Sequence, residues 1–116
     1  MTWTIEYYTD AQGNSPIEEF LRGLDSKDEA RILHTINLLE EFALRLGTRY
    51  VRSLQGKLWE LRIPSGRKAY RIIYFAYTGQ RFVLLHAFLK KTRKTPSREI
   101  RTAQRRYEEY TSRRTE

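Results

Sequence analysis

The sequence predicts an α+β domain: an antiparallel-rich sheet of about four strands, an N-terminal helical hairpin packed on it and a C-terminal helix, in the order β-α-α-β-β-β-α. Three observations lead there. Period-two alternation opens the chain, and three strand-like runs follow between Lys57 and Lys94. Two helix-start signals succeed each other within a short stretch before the first of those runs. A last helical stripe follows Thr95-Pro96. At 116 residues, with 40% apolar and 13% aromatic residues, the whole chain fits one packed domain.

Each element has a local reason. Trp3, Ile5 and Tyr7 alternate with Thr4, Glu6 and Tyr8, as in a half-buried strand whose inner face carries Trp3. Asp10-Ala11-Gln12-Gly13-Asn14 turns the chain. Ser15-Pro16-Ile17-Glu18 combines an N-cap, a first-turn proline and a reciprocal glutamate, predicting a short helix to about Leu24. Ser26-Lys27-Asp28-Glu29 repeats the capping signal. Ile32, Ile36, Leu39, Ala43 and Leu46 then recur at helical spacing, predicting a second helix from Lys27 to Leu46 with Gly47 as its stop. Its wide apolar face, extended by Leu33, Leu38 and Phe42, suits packing on a sheet.

The runs KLWELRI, RKAYRIIYFAY and RFVLLHAFLKKTRK supply that sheet. Ile100, Ala103, Tyr107 and Tyr110 define the buried stripe of the last helix, which frays near Ser112. Its other faces carry Arg98, Arg101, Arg105 and Arg106, either as a solvated surface or as RNA contacts. Glu18, Glu19, Asp28 and Glu29 are read as first-turn residues stabilised by helix dipoles.

Charge is sorted along the chain. Through Thr48 there are 4 Lys or Arg against 9 Asp or Glu, a balance of −5; beyond it 18 stand against 5, or +13. An acidic helical half joined to a basic sheet predicts one face that binds a polyanion, nucleic acid first. Cysteine is absent, which excludes disulfides and thiolate chemistry. No apolar run approaches the roughly 20 residues needed to span a bilayer, and the first ten residues lack a secretion signal's pattern, so a soluble cytoplasmic protein is expected. The acidic residues accompany no histidine cluster, so neither a metal nor another cofactor is expected.

The order of elements, with LWELRI, YRIIYF, LLHAFLKKTRKTP and the glutamate, isoleucine and alanine of the last helix, resembles the RelE/ParE superfamily of bacterial toxins. It is most similar to the HigB-like, phage-derived branch. The likeness covers nearly the whole chain and implies a RelE-like fold. It further implies a type II toxin–antitoxin toxin that enters the ribosomal A site, cuts translated messenger RNA without metal, and is neutralised by a cognate antitoxin, a helix-turn-helix protein. Two other readings fit such a chain: a ParE-like inhibitor of DNA gyrase, and a non-catalytic relative that only binds nucleic acid.

Cleavage by attack of a ribose 2′-hydroxyl on the adjacent phosphate needs a base, an acid and fixed positive charge. The resemblance puts Arg71 at the phosphate and matches Lys90 and Lys91 to a basic pair that binds the scissile phosphate or shuttles a proton, Lys91 being the slightly better match. Alternation places Glu60 and Arg62 on one strand face, so Arg62 is a candidate phosphate ligand; Lys57 is a candidate base or substrate contact. Glu60 fits either a general base or an ion pair that orients Arg71. His86 fits either acid–base chemistry or a hydrogen-bonded interior position, whereas His34 reads as an ordinary helix residue. Arg67 and Lys68 in the PSGRKA loop, and Arg93 and Lys94 in KKTRKT, extend the expected RNA-binding rim. Where some relatives carry strand lysines this chain has Leu58 and Glu60, and Ile100 replaces a tyrosine that some of them use.

Overall fold

The computed structural model describes residues 2–114. Its elements are β1 (Thr4–Tyr7), α1 (Pro16–Arg22), α2 (Ser26–Phe42), β2 (Val51–Ser53), β3 (Trp59–Ser65), β4 (Lys68–Tyr77), β5 (Arg81–Leu89) and α3 (Ser97–Arg114), with a 3₁₀ turn at Ala43–Arg45. The fold is α+β, as the sequence predicts. The sheet has five strands rather than about four, in the order β1-β5-β4-β3-β2. β1 runs parallel to β5, and every other pair is antiparallel. The additional strand, β2, is three residues long, too short to show a period.

Capping explains the helix starts. Ser15 accepts the Glu18 amide at the head of α1, but at α2 the acceptor is Asp25, 2.8 Å from the Asp28 amide, in place of the expected Ser26. α2 stops at Phe42, short of Leu46. Seventeen helical residues span about 25 Å, already the length of a sheet strand of seven or eight residues, and Ala43 and Leu46 fold back onto the core instead of extending the axis. Ala43 takes φ +51° and ψ −124° to make that bend.

The two faces of the sheet bury separate cores. α1 and α2 cover one through Ile17, Leu21, Ile32, Ile36 and Leu39, which meet Leu61, Ile63, Ile72 and Leu84. Trp3, on the predicted inner face of β1, stacks on Phe82 at 4.3 Å. α3 covers the other through Ala103 and Tyr110, against Ile73, Phe75, Val83 and Leu85. A bulge shifts the β4–β5 register, so that Ile73 pairs with His86 while Tyr74 pairs with Leu84. The extra residue, Leu85, lets both Leu85 and His86 address α3.

β5 ends at Leu89, so the predicted strand through Lys94 is corrected: Lys90 to Pro96 form a connecting loop. Thr95 does not cap α3. Its hydroxyl donates to Glu60, and the Pro96 carbonyl accepts from Ile100 at the helix start. No described helix is long and apolar enough to cross a membrane.

Candidate functional site

The pleat of the sheet assembles a cluster of cations on its α3 face. Arg52 of β2 pairs in register with Glu60 of β3, which pairs with Ile73 of β4. In the next row Arg62 pairs with Arg71, and Arg71 with Phe88. Side chains of paired residues share a face, so Arg52, Glu60, Arg62 and Arg71 converge. Lys90 joins them because its amide, just beyond β5, donates to the Ala69 carbonyl at 2.7 Å and fixes the loop beside the cluster.

Glu60 is the centre of this group and is wholly buried. Its Oε1 lies 3.3 Å from Arg52 Nη2 and 3.7 Å from Arg71 Nε, and its Oε2 accepts the Thr95 hydroxyl. Arg71 Nη1 donates to the Tyr70 carbonyl at 3.0 Å, which holds the guanidinium against the sheet. Two guanidiniums thus pair with one carboxylate, and Arg62 and Lys90 add positive charge beside them. Burial lowers the Arg71 pKa, Glu60 opposes that, and Arg62 and Arg52 add to it. The Lys90 ammonium is also lowered, first by burial and then by Arg71, with Glu60 opposing. Among the described residues, the buried Nε atoms of Arg62 and Arg71 and the buried Oε1 of Glu60 make no hydrogen bond, the last two facing each other as an ion pair at 3.7 Å. The excess of positive charge, carried on guanidiniums that reach the surface at Arg52 and in part at Arg71, suits an oxyanion.

The family model described as phage derived protein Gp49-like (DUF891) matches residues 19–108. The chain belongs to this Gp49-like family. The matched span contains β2 to β5 and the whole cation cluster, and bears out the expectation of a phage-derived relationship. No curated protein matches the chain.

The other candidates of this Gp49-like domain are dispersed. Lys57 is exposed in the turn before β3, at the opposite end of that strand from the β3–β4 hairpin. Lys91, Arg93 and Lys94 are exposed on the loop after β5, beside Lys90 but off the strand where the sequence places them. Arg67 sits at the tip of a two-residue β3–β4 hairpin, not in a longer PSGRKA loop. Gly66 ahead of it takes the positive φ of +62° that so tight a turn demands.

Lys68 lies on the other face of the sheet. Strand alternation directs it and Tyr70 toward α2, where buried Asp28 accepts the Ser65 hydroxyl at 2.5 Å, the Tyr70 hydroxyl at 2.6 Å and the Lys68 ammonium at 3.0 Å. These donors hold the Asp28 carboxyl at about 2. Asp28 is therefore a tie between α2 and the β3–β4 hairpin as well as a first-turn residue.

His86 lies on the α3 face, with Ile73 between it and Glu60 in the register. Its Nε2 is 2.6 Å from Glu99 Oε1, and its Nδ1 is 3.0 Å from Arg106 Nη1. Its pKa is lowered chiefly by burial, against the opposing pull of Glu99. A neutral ring that donates from Nε2 and accepts at Nδ1 satisfies both partners. Arg106 also donates to the Leu85 carbonyl at 2.9 Å, so this arginine is a strut under α3 and not part of a solvated basic face. Among the described residues, no cluster of three or more His, Asp or Glu side chains could hold a metal ion.

Arg52 and Thr95 escaped the sequence reasoning. Arg52 lies on a strand too short to recognise, and Thr95 carries a capping signature that tertiary structure diverts to Glu60.

Proposed function

We propose that this Gp49-like protein is the toxin of a toxin–antitoxin pair and cleaves messenger RNA at the ribosome. The observation that carries the reading is the cation cluster on the α3 face, where Arg52, Arg62, Arg71 and Lys90 gather near a single buried carboxylate, Glu60, and leave an excess of positive charge. A phosphodiester supplies charge of the opposite sign, and a cluster carried on a sheet face suits a substrate positioned by a larger partner such as the ribosomal A site. The resemblance to the HigB-like branch of the RelE/ParE superfamily supports the same reading, as does family membership.

In the proposed reaction the ribose 2′-oxygen bonds to phosphorus while the bond from phosphorus to the 5′-oxygen breaks. The products are a 2′,3′-cyclic phosphate and a 5′-hydroxyl. The 2′ proton passes to a base, and the departing 5′-oxygen takes up a proton from an acid. Arg71 and Arg62 hold the non-bridging oxygens and the charge that grows on them. Lys90 carries protons, its pKa lowered by burial and by the neighbouring guanidiniums against the opposing pull of Glu60, with exposed Lys91 beside it. Glu60 orients Arg71 and Arg52. Lys57, Arg67, Arg93 and Lys94 contact flanking backbone, and His86 supports α3. The partners are translated messenger RNA, the ribosome and a cognate helix-turn-helix antitoxin.

The test is to induce the full chain without a partner and map transcript ends in arrested cells. Cuts inside translated frames, abolished by Arg71→Ala in a variant that keeps its far-ultraviolet circular dichroism, are expected. Arrest with intact transcripts would overturn the proposal, and DNA-damage signalling in those cells would point to a gyrase inhibitor.

A further inference from the structure

A groove of about 700 Å³ opens on the α2 face of the sheet, between the Ala43–Thr48 segment and strands β2 and β3. Leu46, Val51, Trp59 and Phe82 line it. Two of its walls are exposed to a degree unusual for large apolar side chains, Leu44 at 74% and Trp59 at 40%. Arg52 and Arg62 border it, and Arg45 and Arg49 are exposed on the segment that leads into β2.

The groove adjoins a sheet edge. The Tyr50 carbonyl accepts from the Arg62 amide, and the Leu54 amide donates to the Leu58 carbonyl, so the even-numbered residues here turn their backbone groups toward β3. Alternation turns the Val51 carbonyl and both backbone groups of Ser53 outward, where β2 is the last strand of the sheet. A strand laid along this edge inherits the pleat of β2. Its residue opposite Arg52 shares the face of Arg52, and its residues opposite Val51 and Ser53 point toward the groove.

We infer that this edge and groove bind an extended segment of a partner protein in which large apolar residues alternate with carboxylates. The segment adds a sixth strand beside β2, seats apolar side chains against Trp59 and Leu44, and sets a carboxylate against Arg52. Charge argues for this occupant. A second copy pairing antiparallel through the same edge would bring the two Arg52 side chains opposite or diagonal to each other on one face, and the basic border repels a basic segment. The groove is also much larger than one nucleobase, and its floor is apolar. The inference rests on the edge and the groove alone, not on the cleavage reading.

Selection of displayed random peptides on the full-length protein tests it, with tryptophan fluorescence to measure the affinity of each enriched peptide. Peptides with apolar–acidic alternation should emerge. Ser53→Pro, which removes an outward amide and leaves the bonds to β3 in place, should weaken them at least tenfold. N-methylation of the peptide amides should do the same on the unmodified protein, which covers the case of a misfolded proline variant. Arg52→Ala should cost severalfold for acidic peptides and nothing for their amide analogues. Failure to enrich such peptides, binding that survives both the proline variant and N-methylation, or occupation of the groove by an RNA oligonucleotide or by a second copy in sedimentation would overturn the inference.

Discussion

Glu60→Gln isolates the charge at the centre of the cluster, because an amide oxygen can still accept the Thr95 hydroxyl while the negative charge is lost. In the native protein the carboxylate lies 3.7 Å from Arg71 Nε, and the Arg71 side chain is only 12% exposed. At an effective dielectric constant near 20 such a pair interacts by about 4 kcal/mol. The second partner, Arg52, is 45% exposed at 3.3 Å and contributes at most about 1 kcal/mol. Some of this is returned because a neutral amide is easier to bury, so a net loss of about 3 kcal/mol is expected, the lower end of the cost of removing one partner from a buried pair. For 116 residues, an unfolding entropy of about 2.1 cal/mol/K per residue converts that loss to a fall in Tm of about 12 °C. Urea and thermal unfolding in chloride measure it. The same experiment in phosphate carries a second signature: with the carboxylate gone, Arg71, Arg62 and Arg52 bind the anion more tightly, and saturation to 100 times Kd restores about 2.7 kcal/mol. A variant within 1 kcal/mol of the parent in chloride, or one that phosphate does not rescue, would refute the account of Glu60 as counter-charge to an anion site.

Three other perturbations have outcomes set by the structure. Ala43 adopts a backbone conformation suited to glycine, so Ala43→Gly should stabilise by about 1 kcal/mol after glycine's own entropic cost, a rise of about 4 °C in Tm; a fall would show that the bend is unstrained. Burial lowers the His86 pKa, so below the ordinary histidine value of 6.5 the unfolded chain takes up a proton that the folded chain declines, and stability drops as pH falls through that range. His86→Gln should flatten this slope between pH 7.5 and 5.5 in urea midpoints, and an unchanged slope would reject the neutral-ring assignment. Asp28 is held at about 2, so its contribution is complete above its ordinary 3.8 and is lost as pH falls toward 2; Asp28→Asn should lower Tm at pH 7 and remove that part of the acid limb, and retention of the limb would contradict the tie to Ser65, Tyr70 and Lys68.

Much of the fold was legible because its signals are local and repeated. The cap at Ser15, the helical spacing from Ile32 to Leu39 and the strand residues from Tyr70 to Phe75 all find their elements. The boundaries that moved were decided by tertiary contact. Ala43 bends to close the core where the helix pattern runs on to Leu46, and Thr95 leaves its cap for Glu60. The pairing of Glu60 with Arg71 was readable from alternation, since both strands keep strict period two there. Which cations share a face was less so. Lys68 and Arg71 are three apart on one strand, an odd number, and the pleat sends them to opposite faces. The loop after β5 reads as a continuation of the strand because no glycine or proline interrupts the chain between Leu89 and Thr95. The β4–β5 bulge leaves no mark in composition, yet it directs both Leu85 and His86 to α3.

Stability alone does not explain the cation cluster. Arg62 buries an Nε without an acceptor, a cost of about 1 to 3 kcal/mol, Arg71 Nε and Glu60 Oε1 meet only at 3.7 Å, and Arg62 and Lys90 add like charge instead of relieving it. Apolar residues at these four positions would pack against Ile73 and Phe88 with no such cost. The opposite face answers the same demand differently, because buried Asp28 is met by three donors and nothing is left over. One face thus matches its buried carboxylate with three donors, whereas the other holds more positive charge than its one buried carboxylate balances. Arg52 connects that deficit to the sheet edge, since it belongs at once to the counter-charge of Glu60 and to the border of the groove. A carboxylate docked on the edge would draw Arg52 from Glu60, strengthen the hold of Glu60 on Arg71 and weaken anion binding at the cluster, which would couple a partner on the sheet edge to the cation cluster beside it.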